Sequence, residues 1–137
     1  MNGVPHKIGS VLIGLVGILL LGSAAAKLAH VPKVVAELAA MGFEGHKLTF
    51  VAFLEVASAV LLLIPITRSM GLLLVSSFMG GVIATHLGHD SFPSIAGPSV
   101  ILILLWVGTA LRHDQVLWSV RTSAPPSVRA AVPKEIS

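Results

Sequence analysis

Apolar residues run in four long blocks along this chain, separated by short polar segments. From Ile8 to Ala26 nineteen residues pass without a charge, close to the roughly twenty that a helix needs to cross a hydrocarbon core of about 30 Å. This block predicts a first span over 8–29, and similar blocks predict spans over 48–66, 70–87 and 95–111. Between the first two blocks, VPKVVAELAAMGF carries another pattern. Val34, Val35, Leu38 and Met41 recur at helical intervals while Lys33 and Glu37 fall on the other side, as in a short amphipathic helix. Pro32 suits its first turn and Gly42 its C-terminal cap. Such a helix lies at the membrane interface, folds back over the bundle, or stands as a polar-facing loop helix. The expected fold is all-α: a four-helix transmembrane bundle with a short amphipathic helix between spans 1 and 2, in one domain over 1–119. The segment 120–137 holds Pro125, Pro126 and Pro133 among mixed polar residues without periodicity, and reads as a flexible cytoplasmic tail.

Within this frame, Pro65 falls in the last turn of span 2, where one lost hydrogen bond is tolerated. Thr67 to Ser69 then form a turn too short for anything but an antiparallel neighbour. Along span 3, Ser76, Gly80 and Ala84, and beside them Ser77, Gly81 and Thr85, recur every four residues. Small-residue rows let helices approach closely in lipid, so they predict the packing face of this span. Lys7 before the first block and Ser23 to Ala26 after it also fit a secretory signal peptide. The block is long for an apolar h-region, and Lys27 and His30 follow at helical spacing, so it reads as a retained span.

Composition narrows the class. With 55% hydrophobic and 11% charged residues, against about 25% charged in soluble domains, the chain is integral to a membrane. The net charge of +3 does not point to nucleic acid, because the basic residues stand singly at the ends of apolar runs with no aromatic-interleaved patch. They report topology instead. Lys7, Arg68, Arg112, Arg121, Arg129 and Lys134 flank one side, and Lys27, Lys33 and Lys47 the other. This bias predicts a multi-pass protein of the inner membrane with both termini cytoplasmic. There is no cysteine, which excludes disulfides, thiolate metal ligands and dithiol redox chemistry.

The candidate chemistry centres on Glu55, inside span 2. A carboxylate at the centre of a membrane helix costs about 2.5 to 3.5 kcal/mol on insertion scales, so its presence calls for a reason. Lys27 and His30 stand at the outer end of span 1, and Thr85 and His86 at the outer end of span 3, followed by His89 and Asp90. Lys27, His30, Glu55, Thr85 and His86 are the candidate ligand-binding residues, with Glu55 and His86 as candidate acid and base. Each has a plainer reading: Lys27 snorkelling to the headgroups, the histidines and Thr85 as interfacial polar residues, Glu55 in a structural pairing. No H-x-x-E-H motif, phosphate loop, nucleophile elbow or carboxylate pair is present, and no metal site is expected.

Taken in order, Lys27-Leu28, VAELAAMGF, FLEVASAVLLLIPITRSMG and ATHLGHD resemble the DoxX-like family of small four-helix membrane proteins, over about Ile8 to Arg112. The family pattern usually has a glycine shortly before the lysine, where this chain has Ser23 and alanines. It often has another before the leucine-glutamate pair, where this chain has Ala52 and Phe53. These departures bear on how closely spans 1 and 2 pack. Relatives in the family include subunits associated with thiosulfate-to-quinone electron transfer, components of membrane oxidoreductase assemblies and a receptor-assembly chaperone, a spread that carries no single reaction over. The preferred reading combines the outward-facing polar pocket, expected from charge bias and the depth of Glu55, with this resemblance: an accessory or lipophile-binding subunit of a membrane assembly. Its ligand would be a quinone or another lipophile, with no intrinsic cofactor. Its partners would be the lipid membrane and a membrane redox complex, and not nucleic acid. The rival readings are a stand-alone enzyme using Glu55 and His86 on a lipophilic substrate, and a structural or chaperone membrane protein.

Overall fold

The structure, a computed structural model, describes residues 3–112, so the expected tail at 120–137 lies outside the described residues. Five α-helices follow in order: α1 (Val4–Leu28), α2 (Pro32–Ala40), α3 (His46–Leu63), α4 (Arg68–Gly88) and α5 (Ala96–Arg112), with a 3-10 turn at Phe92–Ile95 leading into α5. Four of these helical stretches are long and apolar enough to cross a membrane: α1, α3, α4 and the Phe92–Arg112 run. The spans run up and down, with α1 packed on α3 and α5, α3 on α4, and α4 on α5. Ile13, Val16 and Leu20 of α1 meet Ala59 and Leu62 of α3, Val75 and Met79 of α4 and Leu105 of α5 in the core. The outer faces carry exposed residues such as Val11, Phe53, Leu73 and Ile103, so the helices are apolar all round, as a lipid-facing bundle requires.

The α3–α4 connection differs from expectation. Clash with a following proline ring drives a residue out of the helical region, and Ile64 takes an extended ψ of 121° that ends α3 at Leu63. Pro65 therefore sits in the turn Ile64–Thr67 rather than in the last helical turn, and Arg68 and Ser69 open α4. The carbonyls freed at the helix end find other donors. Thr67 Oγ1 donates to the Leu61 oxygen at 3.0 Å, and Arg68 Nε donates to the Leu62 oxygen at 3.2 Å.

Helix α2 forms as the pattern requires. Gly42 takes a φ of +81°, its N–H bonds the Ala39 carbonyl and that of Phe43 the Leu38 carbonyl, both at 2.9 Å. This is the paired bonding of a Schellman cap. Val34, Val35, Leu38 and Met41 are half-buried and Lys33 and Glu37 exposed, so α2 folds back over the bundle.

The small-residue rows of α4 do not make its packing face. A Cβ built on Gly80 or Gly81 meets nothing within 4 Å. Close approach occurs elsewhere: Gly71 lies against the Leu61–Leu62 backbone, Gly17 against the Leu63 side chain, and Gly9 and Gly108 against one another between α1 and α5.

Candidate functional site

Two antiparallel helices bring the candidate charges together. Glu55 lies nine residues into α3, about 13 Å along the axis, and Lys27 in the last turn of α1. Side chains tilt toward the N-terminus of their own helix, so the lysine stem leans inward along α1 while the Glu55 carboxylate leans toward the Lys27 end. Lys27 Nζ donates to Glu55 Oε2 at 2.6 Å and to Ser23 Oγ, one turn back on α1, also at 2.6 Å. Glu55 is 2% exposed and Lys27 9%. Ala24 and Ala52 are fully buried, and α1 and α3 stay in close contact with alanine and serine where the family pattern has glycine.

The pair forms part of the wall of a cavity of about 660 Å³. The cavity occupies the half of the bundle next to α2 and is bounded by α1, α3, α4 and the start of α5, with Leu38 and Met41 of α2 and Phe43 just beyond it. Its surface is mostly apolar, from residues such as Leu20, Leu54, Leu74, Phe78 and Ile101, and its polar side chains are Ser23, Lys27, Glu37, Glu55, Ser77, Thr85 and His86.

The predicted residues divide accordingly. Lys27, Glu55, Thr85 and His86 all line the cavity. Thr85 Oγ1 donates to the Gly81 carbonyl at 2.9 Å, while His86 Nδ1 is buried with no hydrogen-bond partner among the described residues. His30 is not brought to the site. Because α1 ends at Leu28, His30 lies beyond the helix at a φ of 53°, exposed, with Nδ1 3.0 Å from the Leu28 oxygen. His89 is likewise exposed, its Nδ1 2.9 Å from the Thr85 oxygen. Among the described residues no three histidine, aspartate or glutamate side chains cluster to hold a metal ion.

Sequence reasoning passed over Ser23, Ser77 and the α2 side chains facing the cavity. Ser23 carried a usable signal, since it lies four residues, one helical turn, before Lys27. Chemically, an ammonium has three donors and no acceptor, and two of those on Lys27 are engaged. One Nζ proton and the unpartnered His86 nitrogen remain to meet a polar group inside an otherwise greasy space.

A profile of the DoxX-like family matches residues 11–108, a stretch that contains every residue lining the cavity. Searches of curated proteins and of solved structures return no match. On the extent of the family match, with its four membrane-length helices, the chain belongs to the DoxX-like family.

Proposed function

We propose that this protein binds a lipophilic molecule of quinone type in the α2-side cavity, as an accessory subunit of a membrane assembly. The carrying observation is the cavity itself: about 660 Å³, within the roughly 300 to 1,000 Å³ typical of ligand sites, apolar over most of its wall and bordered by the Lys27–Glu55 pair. A quinone-like body removes apolar surface from contact with water, and its carbonyl oxygens accept from the free Lys27 proton or from His86 in the tautomer that carries hydrogen on Nδ1. With no cysteine in the chain, electrons come from a partner in this reading. The 2.6 Å contact between Lys27 and Glu55 also supports the structural reading, in which the pair only fixes α1 against α3. It leaves Glu55 engaged rather than standing free as an acid, which weighs against the stand-alone enzyme.

Gly81 separates ligand binding from architecture, because it lines the cavity and a Cβ there meets open space. Gly81→Phe is expected to leave thermal stability in detergent near the parent value. It should weaken binding of a short-chain quinone, measured by equilibrium dialysis in detergent, by about tenfold or more, equal to about 1.4 kcal/mol. Undiminished binding in Gly81→Phe removes the cavity as the ligand site. Glu55→Gln separates the structural reading: altered binding with the fold intact supports a ligand role, and unchanged binding supports pairing alone.

The same reading places the protein in the inner membrane with both termini cytoplasmic and the cavity toward the outer leaflet, from the charge bias. A reporter fused after Ser137 is expected to be active only in its cytoplasmic form. Activity of a periplasmic reporter at that position inverts the orientation.

A further inference from the structure

Among the described side chains that line the cavity, Lys27 carries the one ammonium, while Glu55 and Glu37 carry carboxylates. Lys27 Nζ gives one proton to Glu55 Oε2 and one to Ser23 Oγ, both at 2.6 Å. Its third proton can still donate, but its charge is already balanced by Glu55. Both members of the pair are buried, so a polar group bound beside them gives up its water.

The space is graded in depth as well. Lys27 lies in the last turn of α1, and Thr85 and His86 in the last turn of α4. Leu74 precedes the end of α4 by fourteen residues, about 20 Å of helical rise. A polar head therefore sits beside the pair while a chain runs inward among Leu74, Phe78 and Ile101.

An ion that enters an apolar space loses its hydration, and only a full opposite charge offsets that loss. Here a carboxylate or phosphate would meet an ammonium that Glu55 has matched, and would share the site with the like charge of Glu55 itself. A neutral carbonyl needs no counter-charge. It accepts the third Lys27 proton and gives up far less hydration than an ion does. We propose that Glu55 is the selectivity residue of the cavity: by balancing Lys27 it restricts the site to uncharged lipophiles and turns away anions of the same chain length, such as free fatty acids. The inference rests on the binding of a lipophile in this cavity and adds the charge class of that ligand.

The test uses full-length protein in neutral detergent, in mildly alkaline buffer where laurate is ionised, dialysed to equilibrium against laurate or its methyl ester with protein-free micelles as the blank. The two probes share one chain, so the comparison isolates charge. Wild-type protein is expected to hold the ester about tenfold more tightly than laurate. In Glu55→Gln the amide oxygen still accepts from Lys27, but the ammonium lacks its counter-charge and a bound carboxylate supplies it. The ratio of laurate to ester binding should therefore rise about tenfold or more over wild type, a ratio from which micelle partition cancels. Lys27→Met/Glu55→Met, with both charges gone, should keep the preference for the ester. Laurate held as tightly as its ester by wild type overturns the proposal and needs no variant to fold. A folded Glu55→Gln protein with an unchanged ratio also overturns it. Failure of both probes to bind, or binding of both undiminished in Gly81→Phe, overturns the cavity reading itself and this inference with it.

Discussion

Lys27→Met is expected to destabilise the bundle by roughly 3 to 5 kcal/mol, the range for removing one partner of a buried ion pair. Glu55 is 2% exposed and its Oε2 accepts a hydrogen bond from Lys27 Nζ at 2.6 Å, so the substitution strands a carboxylate in a low-dielectric interior. Methionine keeps most of the apolar stem, which confines the change to the charge. Ser23→Ala removes the other Lys27 contact and should be milder, about 1 kcal/mol, since the ion pair survives. The decisive measurement is a double-mutant cycle. Replacing both partners of a buried pair with apolar residues is often neutral or stabilising, so Lys27→Met/Glu55→Met is expected to recover most of the loss in equilibrium unfolding in detergent. Additive losses from the two single substitutions would mean that the charges act independently, and the 2.6 Å contact would then carry no coupling.

That Glu55 needs a partner was legible in the sequence because the logic is one of expense, although Lys27 and His86 stood as alternatives. A carboxylate among Phe53, Leu54 and Val56 cannot face lipid without a large penalty, and helical rise put Lys27 in the same half of the membrane. A pocket beside these groups was expected as well, but its size and its mostly apolar wall were not legible. It depends on α2 folding back and on small side chains at Ser77 and Gly81 leaving space, and a glycine row reads alike whether it admits a neighbouring helix or makes room for nothing. His30 was placed on the Lys27 face on the assumption that α1 continued, but the helix stops at Leu28 and His30 itself adopts the positive φ that glycine usually supplies. Arg68 and Arg112 were visible only as topology signals.

The packing role assigned from sequence to Gly80 and Gly81 belongs to Gly71, and Gly71→Ala is expected to show it with a single methyl group. A Cβ at Gly71 runs into the Leu62 N and Cα and the Leu61 carbonyl carbon. These are backbone atoms and cannot escape by a change of rotamer. The turn Ile64–Thr67 joins α3 directly to α4, so α4 has little slack to slide away. Overpacking typically costs about 1 to 3 kcal/mol, and an obstacle made of backbone puts this site at the upper end or beyond. Gly17→Ala should be milder, because the Cβ there meets the Leu63 side chain, whose methyl groups can rotate aside. Gly80→Ala and Gly81→Ala meet open space and gain helix propensity of about 1 kcal/mol, so they are expected to be neutral or slightly stabilising. The predicted order of thermal stability in detergent is therefore Gly81→Ala highest, then Gly17→Ala, then Gly71→Ala. Leu74 and Phe78 follow Gly71 on α4 and line the cavity. A displaced α4 would move them too, so Gly71→Ala should weaken lipophile binding although the glycine is not a cavity residue. If Gly71→Ala is as stable as Gly81→Ala, α3 and α4 do not touch at Leu62, and the α4 wall of the cavity must lie elsewhere.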